Sequence, residues 1–314
     1  MIKTKNWYSE EVSLSRTLKP DKNIPLLQRL LFKVAKKWVS GYTYNNALST
    51  AKNCNSKGIF VILNFLGEDT TSSIAIENTV KEYFSLLTLL EGNRIDGCIS
   101  VKPTQIGLTI GYDKCLHNLR QIARRAKSLD RFMWIDMESF QFVEDTIAIY
   151  LELLRDYKHN TGVAIQSYLK RSGSDLLHLL EQGAVVRLVK GAYREHESIA
   201  FQSMEKINSN FSKLMKILFE YSNTSDSVFA IATHDPKLIN EAIILSKKYG
   251  TDNRKFEFQL LMGIQNEMKE NLVKRGFRVS EYIPYGNQWL PYSMRRIRER
   301  KRNILLLARS LLQS

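Results

Sequence analysis

Two basic residues stand where a buried strand is predicted. Residues 184–189 are almost continuously apolar, which is typical of a strand covered on both faces of a parallel sheet, yet Arg187 lies inside this stretch and Lys190 follows it. A buried guanidinium is unfavourable unless it is paired or hydrogen-bonded. Arg187 therefore either forms a structural salt bridge or serves a ligand. Gly191 and Ala192, which come next, carry little side-chain bulk and would let a ligand approach the backbone.

Polar side chains also accompany the other predicted strands, mostly at their C-terminal ends. They are Glu68, Lys102, Asp136, Glu138, Gln166, Thr233, His234, Asp235, Glu257, Gln259 and Tyr282. A single one of them could be a strand residue that reaches solvent. Their recurrence favours a shared site, because the C-terminal ends of barrel strands meet at one face. The sequence therefore predicts an enzyme whose chemistry is assembled from several strand ends.

A further candidate lies near the C-terminus. If the chain is helical from residue 292 onward, Tyr292, Arg295, Arg296 and Glu299 share one face. Two arginines beside a tyrosine predict a clamp for a carboxylate or a phosphate, because the guanidinium fork binds such anions bidentately. A basic surface helix and a nucleic-acid or membrane patch are the alternatives, since residues 295–302 contain six basic residues and one acidic residue.

These residues need a scaffold, and the pattern of short apolar stretches predicts one. The strand-like stretches are residues 59–66, 98–102, 132–137, 163–168, 185–190, 228–233, 256–261 and 278–284. Helical segments follow them at residues 74–90, 113–128, 143–157, 174–182, 198–221, 236–248 and 267–275, and a last helix begins near residue 287. Eight strands, each followed by a helix, are typical of a (β/α)₈ barrel of the TIM type. A doubly wound sheet is the alternative, but its glycine-rich phosphate motif follows none of the strands.

The chain before the first strand has a different pattern. Residues 1–57 are predicted to be an N-terminal helical segment, and residues 58–314 the barrel domain. Within the first segment, residues 24–39 carry apolar side chains at helical spacing. Residues 42–56 predict a second, more polar helix that ends before Gly58.

The composition is that of an ordinary soluble domain, with 314 residues of which 44% are hydrophobic and 25% charged. No apolar run long enough for a membrane span and no secretion signal are found in the sequence. The three cysteines predict free thiols in a reducing compartment, hence a cytoplasmic location, and neither they nor the histidines have the spacing of a metal site. A net charge of +14 is compatible with an acidic partner, although a solvated lysine-rich surface explains it more simply.

Two long motifs resemble those of the proline dehydrogenase family in its short monofunctional bacterial form. Residues 187–195 (RLVKGAYRE) resemble the family's fifth-strand motif, and residues 285–299 resemble its last-helix motif. The strand ends between and before them match in order, at residues 100–102, 135–138, 166–168, 232–235 and 257–261. The resemblance extends over about residues 44–310. Its departures, Pro103 after the second-strand lysine and the polar Asn64 in the first strand, leave the matched positions intact.

The resemblance implies a flavoenzyme. It implies that FAD, bound non-covalently over the C-terminal mouth of the barrel, accepts a hydride at N5 from L-proline, which becomes Δ1-pyrroline-5-carboxylate. It also implies that the electrons pass to a quinone, which would place the enzyme in the cytoplasm, peripheral to the inner face of the cytoplasmic membrane. The positive charge is compatible with contact to anionic lipid.

The resemblance also implies roles for individual residues. Asp136 and Arg187 would be catalytic, with Arg187 beside flavin N5. The substrate-binding residues would be Lys102, Tyr193, Leu261, Tyr282, Tyr292, Arg295 and Arg296. The cofactor-binding residues would be Met137, Gln166, Arg187, Lys190, Gly191, Ala192, Thr233, His234 and Glu299.

Two other classes of function compete with this interpretation. A lysine Schiff-base lyase or aldolase could use the same barrel, with Lys102 or Lys190 as the amine. A nucleic-acid-binding protein would fit the basic run at residues 295–302. The second class leaves the charged residues inside apolar strands unexplained, so no nucleic-acid partner is expected.

Overall fold

Eight parallel strands form a closed barrel in which each strand pairs with the next and the eighth pairs with the first. This architecture is seen in a computed structural model that describes Phe32 and residues 35–224 and 228–299, without the side chains of residues 223, 224, 295 and 297–299. The predicted (β/α)₈ fold is confirmed. Because every strand runs in the same direction, all eight C-terminal ends open at one mouth of the barrel, and the N-terminal ends open at the other.

The elements alternate along the chain. The strands are β1 (Phe60–Phe65), β2 (Gly97–Val101), β3 (Met133–Ile135), β4 (Thr161–Gln166), β5 (Val186–Val189), β6 (Phe229–Ala232), β7 (Phe256–Leu261) and β8 (Arg278–Tyr285). The helices are α1 (Tyr44–Asn55), α2 (Ser73–Gly92), α3 (Tyr112–Ser128), α4 (Val143–Tyr157), α5 (Ser172–Glu181), α6 (Met204–Thr224), α7 (Pro236–Tyr249), α8 (Asn266–Lys274) and α9 (Trp289–Glu299). Two short 3₁₀ turns follow β2 and β3, at Pro103–Ile106 and Phe140–Phe142.

The hydrophobic core is divided by the sheet. The larger part lies between the strands and the helices, where side chains such as Tyr83 and Phe258 are fully buried. A small group that includes Ile62 and Trp134 lies on the other face of the strands, inside the barrel. Because side chains alternate across a strand, a polar residue two positions from Ile62 or Trp134 also points to the barrel axis. This alternation places Asn64 and Asp136 there.

The structure differs from the predicted elements mainly in one helix. The pattern predicts a helix from residue 198, but α6 begins at Met204. Residues 199–201 instead pair with residues 168–170 in an antiparallel bridge, through hydrogen bonds from Lys170 N to Ile199 O and from Phe201 N to Tyr168 O. These bonds use the backbone groups that a helix would need.

The described residues include only part of the predicted N-terminal helical segment. The predicted helix at residues 42–56 is observed as α1, whereas most of residues 24–39 lie outside the described residues. In α1, Ala47, Ala51 and Cys54 are buried in the same core as the strands. The division of the chain at residue 57 stays a prediction. None of the described helices combines the length and hydrophobicity that crossing a membrane requires.

Candidate active site

Asp136 is the centre of a buried charged network at the C-terminal mouth. It follows β3 directly, and its side chain is 11% exposed. Its carboxylate accepts hydrogen bonds from Ser100 Oγ at 2.7 Å, from Tyr282 hydroxyl at 2.9 Å and from Lys102 Nζ at 3.1 Å, and it forms an ion pair with Arg187. Four strands, β2, β3, β5 and β8, thus contribute to one carboxylate.

Arg187 is buried and paired on both sides of its guanidinium. Nη2 donates to Asp136 and, at 3.1 Å, to Ser100 Oγ, while Nη1 donates to Gln259 Oε1 at 3.4 Å. The guanidinium carbon lies 5.0 Å from the centroid of the Trp134 ring, which is within the range of a cation–π contact. Arg187 therefore makes the salt bridge expected of a core arginine, and it also lines the mouth of the barrel.

Lys102 joins this network to the loop after β1. Its ammonium lies 3.1 Å from Asp136 and 3.6 Å from Glu68, and Glu68 in turn accepts a hydrogen bond from the Tyr193 hydroxyl at 3.4 Å. Glu138 accepts hydrogen bonds from Thr104 N at 2.8 Å and from Thr104 Oγ1 at 2.7 Å. Because Lys102 immediately precedes the turn that Glu138 holds, these bonds also restrict where the lysine backbone can lie.

Gln166 presents an acceptor that the described residues leave unpaired. Its Nε2 donates to the carbonyl oxygens of Met137 at 2.7 Å and Glu138 at 2.9 Å, which fixes the amide. Its Oε1 is buried and has no hydrogen-bond partner among the described residues. Such an atom is unfavourable unless a ligand or water donates to it.

Gly191 is required by its surroundings. Its φ is +103°, and a Cβ built there would lie 2.2 Å from Tyr168 Cδ1. A glycine is therefore needed both for the backbone conformation and for the close approach of the Tyr168 ring. The small residues 191–192 follow β5 at the mouth, so the tyrosine ring explains this glycine without excluding a ligand beside it.

The β6 end is held by local pairs. Lys190 Nζ lies 3.0 Å from Asp235 Oδ2, and Thr233 Oγ1 accepts from the backbone N–H of Asp235 at 3.2 Å. His234 Nε2 accepts from the backbone N–H of Leu261 at 2.8 Å, which ties the ends of β6 and β7 together.

The last helix closes the mouth from the side. Tyr292 is buried, and the guanidinium carbon of Arg296 lies 5.3 Å from its ring centroid, as the i,i+4 spacing predicts. The predicted helix is confirmed as α9, and Tyr292 and Arg296 line the same cavity as the strand-end residues. The side chains of Arg295 and Glu299 lie outside the described residues.

A cavity of about 480 Å³ connects these residues. The predicted site residues that line it are Lys102, Asp136, Met137, Gln166, Arg187, Lys190, Gly191, Ala192, Tyr193, Thr233, His234, Leu261, Tyr282, Tyr292 and Arg296. The remaining predicted site residues, Arg295 and Glu299, are the two whose side chains are not described. Strand-end position was the signal for Lys102, Asp136, Gln166, Arg187, Lys190, Thr233, His234 and Tyr282, because residues far apart in sequence share one mouth in a parallel barrel. Helical spacing was the signal for Tyr292 and Arg296, small side chains were the signal for Gly191 and Ala192, and the family resemblance implied Met137, Tyr193 and Leu261.

One strand-end assignment is wrong. The sequence predicts Glu257 among the residues at the C-terminal strand ends, but it is the second residue of β7 and lines the opposite mouth of the barrel. Gln259, two residues later, lines the C-terminal cavity. Ser100 is not among the predicted site residues, although it donates to Asp136 and accepts from Arg187. Its position two residues before Lys102, on the inward face of β2, was the available signal.

The network keeps both Asp136 and Lys102 in their charged forms. Burial alone would raise the pKa of Asp136, but Lys102 and Arg187 outweigh it and hold the pKa well below its usual range. Burial alone would lower the pKa of Lys102, but Asp136 outweighs it and raises the pKa well above its usual value. A Schiff-base lysine needs a lowered pKa. The structure therefore disfavours Lys102 as the amine of a lyase, and Lys190 is engaged by Asp235.

Sequence comparison identifies the family. A profile of the family described as "Proline dehydrogenase" matches residues 47–307. The chain is 33% identical to "Proline dehydrogenase 2" of Bacillus subtilis over 270 residues, which cover 86% of this chain and 88% of that protein. It is 28% identical to "Proline dehydrogenase" of Deinococcus radiodurans over 292 residues, which cover 92% of this chain and 93% of that protein.

Structural comparison agrees with the fold. Proline utilization A from Bdellovibrio bacteriovorus, in a crystal structure inactivated by N-propargylglycine, superposes with a TM-score of 0.80 at 22% identity. The match covers 86% of this chain and 33% of that larger protein. At this identity the likeness shows the barrel fold alone. The profile match over most of the chain and the close curated relatives show that the chain belongs to the proline dehydrogenase family of oxidoreductases, whose members act in proline catabolism.

Proposed function

We propose that the chain oxidises L-proline to Δ1-pyrroline-5-carboxylate with bound FAD. The observation that carries this proposal is the Asp136 network, in which buried, paired charges from four strands face a cavity of about 480 Å³ at the C-terminal mouth. The reaction removes two electrons and two protons from the substrate and forms a C5–N double bond. FAD would supply the two-electron acceptor that the oxidation requires.

The residues present fit a flavin. The buried Gln166 Oε1, which has no partner among the described residues, matches the imide N–H donor of an isoalloxazine ring. The small residues 191–192 leave room beside β5, and Met137 offers an apolar contact. Thr233, His234 and Lys190 line the same cavity and would hold the rest of the cofactor, together with Glu299.

The substrate carboxylate would be held by cations. Lys102 has three N–H donors, of which Asp136 accepts one at 3.1 Å, so a donor remains for a ligand. Arg296 would contribute its planar fork from α9, and Arg295, which precedes it, would add a second. Each charge-assisted hydrogen bond contributes roughly 1.5–3 kcal/mol, so three cations would orient the ring strongly.

The proline ring itself would be enclosed by apolar and aromatic side chains. Tyr193, Leu261, Tyr282 and Tyr292 all line the cavity and would exclude water from the ring. The Tyr282 hydroxyl donates to Asp136 at 2.9 Å, so its ring has a defined position. A fixed wall of this kind restricts the orientations available to the bound substrate.

Asp136 and Arg187 would act through charge. A carboxylate with a strongly lowered pKa stays ionised, so Asp136 is a poor proton acceptor for the proline amine. Its role would be to hold Arg187, Lys102 and Tyr282 in place. Arg187 would in turn stabilise negative charge that gathers on the reduced cofactor.

The decisive experiment is spectroscopic. The purified protein should carry a yellow flavin chromophore, released as FAD on denaturation, and it should bleach when L-proline is added without oxygen. The product should form an adduct with 2-aminobenzaldehyde, which traps the cyclic imine, and D-proline serves as the matched control. A protein that takes up no flavin, or a flavin that L-proline leaves oxidised, would contradict the proposal.

We also propose a membrane quinone as the electron acceptor, with the enzyme peripheral to the inner face of the cytoplasmic membrane. The net charge of +14 supports this, since each basic residue near anionic lipid contributes about 1 kcal/mol. A soluble quinone analogue should reoxidise the bleached protein without oxygen. The protein should float with anionic vesicles at low salt and separate from zwitterionic ones; equal behaviour with both would argue against lipid contact.

A further inference from the structure

A chain of hydrogen bonds reaches Arg187 from the opposite mouth of the barrel. It begins at Glu257, whose Oε2 accepts from Ser280 Oγ at 2.8 Å and from Arg278 Nε at 3.1 Å. The other oxygen, Oε1, accepts from Gln259 Nε2 at 2.5 Å. Glu257 faces a cavity at the N-terminal mouth and does not line the active-site cavity.

Gln259 is the link between Glu257 and Arg187. Its side chain lies inside the barrel, the residue is 3% exposed, and its Oε1 accepts from Arg187 Nη1 at 3.4 Å. A carboxylate only accepts hydrogen bonds and a guanidinium only donates them. The amide of Gln259 can therefore satisfy both neighbours in one orientation only, with its NH₂ toward Glu257 and its oxygen toward Arg187.

The orientation of the Gln259 amide matters because Nη1 and Nη2 of the Arg187 guanidinium each need an acceptor. Asp136 and Ser100 accept from Nη2, and among the described residues Gln259 is the acceptor for Nη1. If the amide turned over, its NH₂ would face the guanidinium, and two donors would meet. Arg187 would then be free to rotate or to move along the Trp134 ring that it covers.

We propose that Glu257 is a positioning residue for proline oxidation, which acts by fixing the amide of Gln259 and, through it, the guanidinium of Arg187. The inference rests on the proposed function. It assigns to a carboxylate at the N-terminal mouth an effect on chemistry at the C-terminal mouth, without contact to substrate or cofactor. The alternative is that Glu257 merely forms an ion pair with the half-exposed Arg278.

A double-mutant cycle distinguishes these two roles. We expect Gln259→Leu to lower the rate of cofactor reduction by proline about tenfold and Glu257→Gln to lower it about threefold, since both loosen a hydrogen bond to a charged group. If Glu257 acts only through Gln259, the double variant should be no slower than Gln259→Leu. The Michaelis constant for proline should change less than twofold in all three. Multiplying effects, or an unchanged rate in Glu257→Gln, would overturn the proposal.

Glu91→Gln is the matched control. It breaks the 2.7 Å ion pair with Arg131 at the same mouth of the barrel, and no hydrogen bond of the described residues connects it to Arg187. It should leave the rate unchanged. A similar loss of rate in Glu91→Gln would show that any damage at this mouth slows the reaction, and would overturn the specific role of Glu257.

A second readout needs no cofactor. In the cofactor-free protein, arginine-selective ¹⁵N NMR reports rotation about the Nε–Cζ bond of Arg187, with its signals assigned by their loss in Arg187→Met. Rotation should be slow in the parent and faster in both Glu257→Gln and Gln259→Leu. Unchanged rotation would overturn the proposal. If rotation is faster in both variants but proline bleaches no cofactor in the parent, the proposed function has failed, and only the hydrogen-bond link from Glu257 through Gln259 to Arg187 is supported.

Discussion

The two mouths of the barrel differ in a way that locates the chemistry. The N-terminal mouth has the larger cavity, about 890 Å³, against about 480 Å³ at the C-terminal mouth. Its arginines, however, lie nearer to solvent: the side chains of Arg131, Arg278 and Arg254 are 17%, 53% and 90% exposed, although that of Glu257 is only 13% exposed. At the C-terminal mouth, the side chains of Arg187 and Asp136 are 4% and 11% exposed.

This contrast shows that buried ion pairs indicate the position of the active site better than the volume of a cavity does. Exposed ion pairs contribute little to stability and need no special explanation. Buried pairs lose so much hydration that apolar residues would often serve the fold as well or better. Where a barrel keeps them at the face that barrel enzymes use, function is the better explanation. Variants at the two mouths can therefore test this difference.

The largest effect is expected from Asp136→Ala. Turnover should fall at least about a hundredfold, because Arg187 and Lys102 lose the carboxylate that holds them. The free energy of unfolding should also fall, by about 3–5 kcal/mol, because a buried guanidinium is left without its ionic partner. Stopped-flow reduction and urea unfolding measure the two quantities, and Asp136→Asn, which keeps the shape, is the control. An Asp136→Ala variant with the parent's activity and stability would show that the buried ion pairs at the C-terminal mouth do not indicate function.

Arg187→Met should separate the redox step from cofactor capture. It keeps much of the length but removes the charge and all five donors. FAD uptake should persist, held by Gln166 and the β6 end, while the rate of reduction by proline falls at least about tenfold and the flavin potential drops. Spectroelectrochemical titration and rapid mixing measure these changes. A folded variant with the parent's flavin potential and rate of reduction would show that Arg187 has only a structural role.

Arg296→Lys should affect substrate binding. Lysine keeps the charge but lacks the planar fork, so the Michaelis constant for proline should rise about tenfold while FAD stays bound. Arg120→Lys, at a half-exposed arginine paired with Glu152, should leave the constant unchanged. Loss of FAD in Arg296→Lys would show that Arg296 binds the cofactor rather than the substrate.

Glu138 should make stability depend on pH. Burial raises its pKa to about 7, whereas the neighbouring Asp136 titrates far below this range. The folded protein then keeps a proton on Glu138 that the unfolded chain releases near its ordinary pKa of 4.5. Its contribution is present below pH 4.5 and is lost as the pH rises through 7, a change of about 3 kcal/mol. Glu138→Gln should remove this part of the pH dependence in urea unfolding; an identical profile would contradict the raised pKa.

The smallest effect is expected at the N-terminal rim. Arg254→Ala removes an exposed side chain whose partner is Asp252, at 2.7 Å. The rate of proline oxidation and the thermal midpoint should equal those of the parent, because water replaces such a contact readily. Slower oxidation in this variant would show that the larger cavity takes part in catalysis.

The sequence by itself determined the scaffold and most of the site. Alternating apolar stretches and amphipathic helices predicted all eight strands, because periodicity reflects which faces are buried. The pattern of polar residues at strand ends predicted the polar strand-end residues now found around one cavity, because parallel strands end together. Met137, Tyr193 and Leu261 were implied by the family resemblance. Arg187 was visible because it interrupts an apolar strand, and the face shared by Tyr292 and Arg296 was visible because their spacing follows the helical period.

Only the tertiary structure decided which of these residues meet. Asp136 holds Lys102 and Arg187, 34 and 51 positions away, because strand register sets their heights along the barrel axis. Glu257 and Gln259 share a face of β7, yet one strand repeat separates them, so they belong to opposite mouths. Sequence spacing gives the face of a strand, whereas height along the axis depends on the stagger between all eight strands, which no single segment encodes.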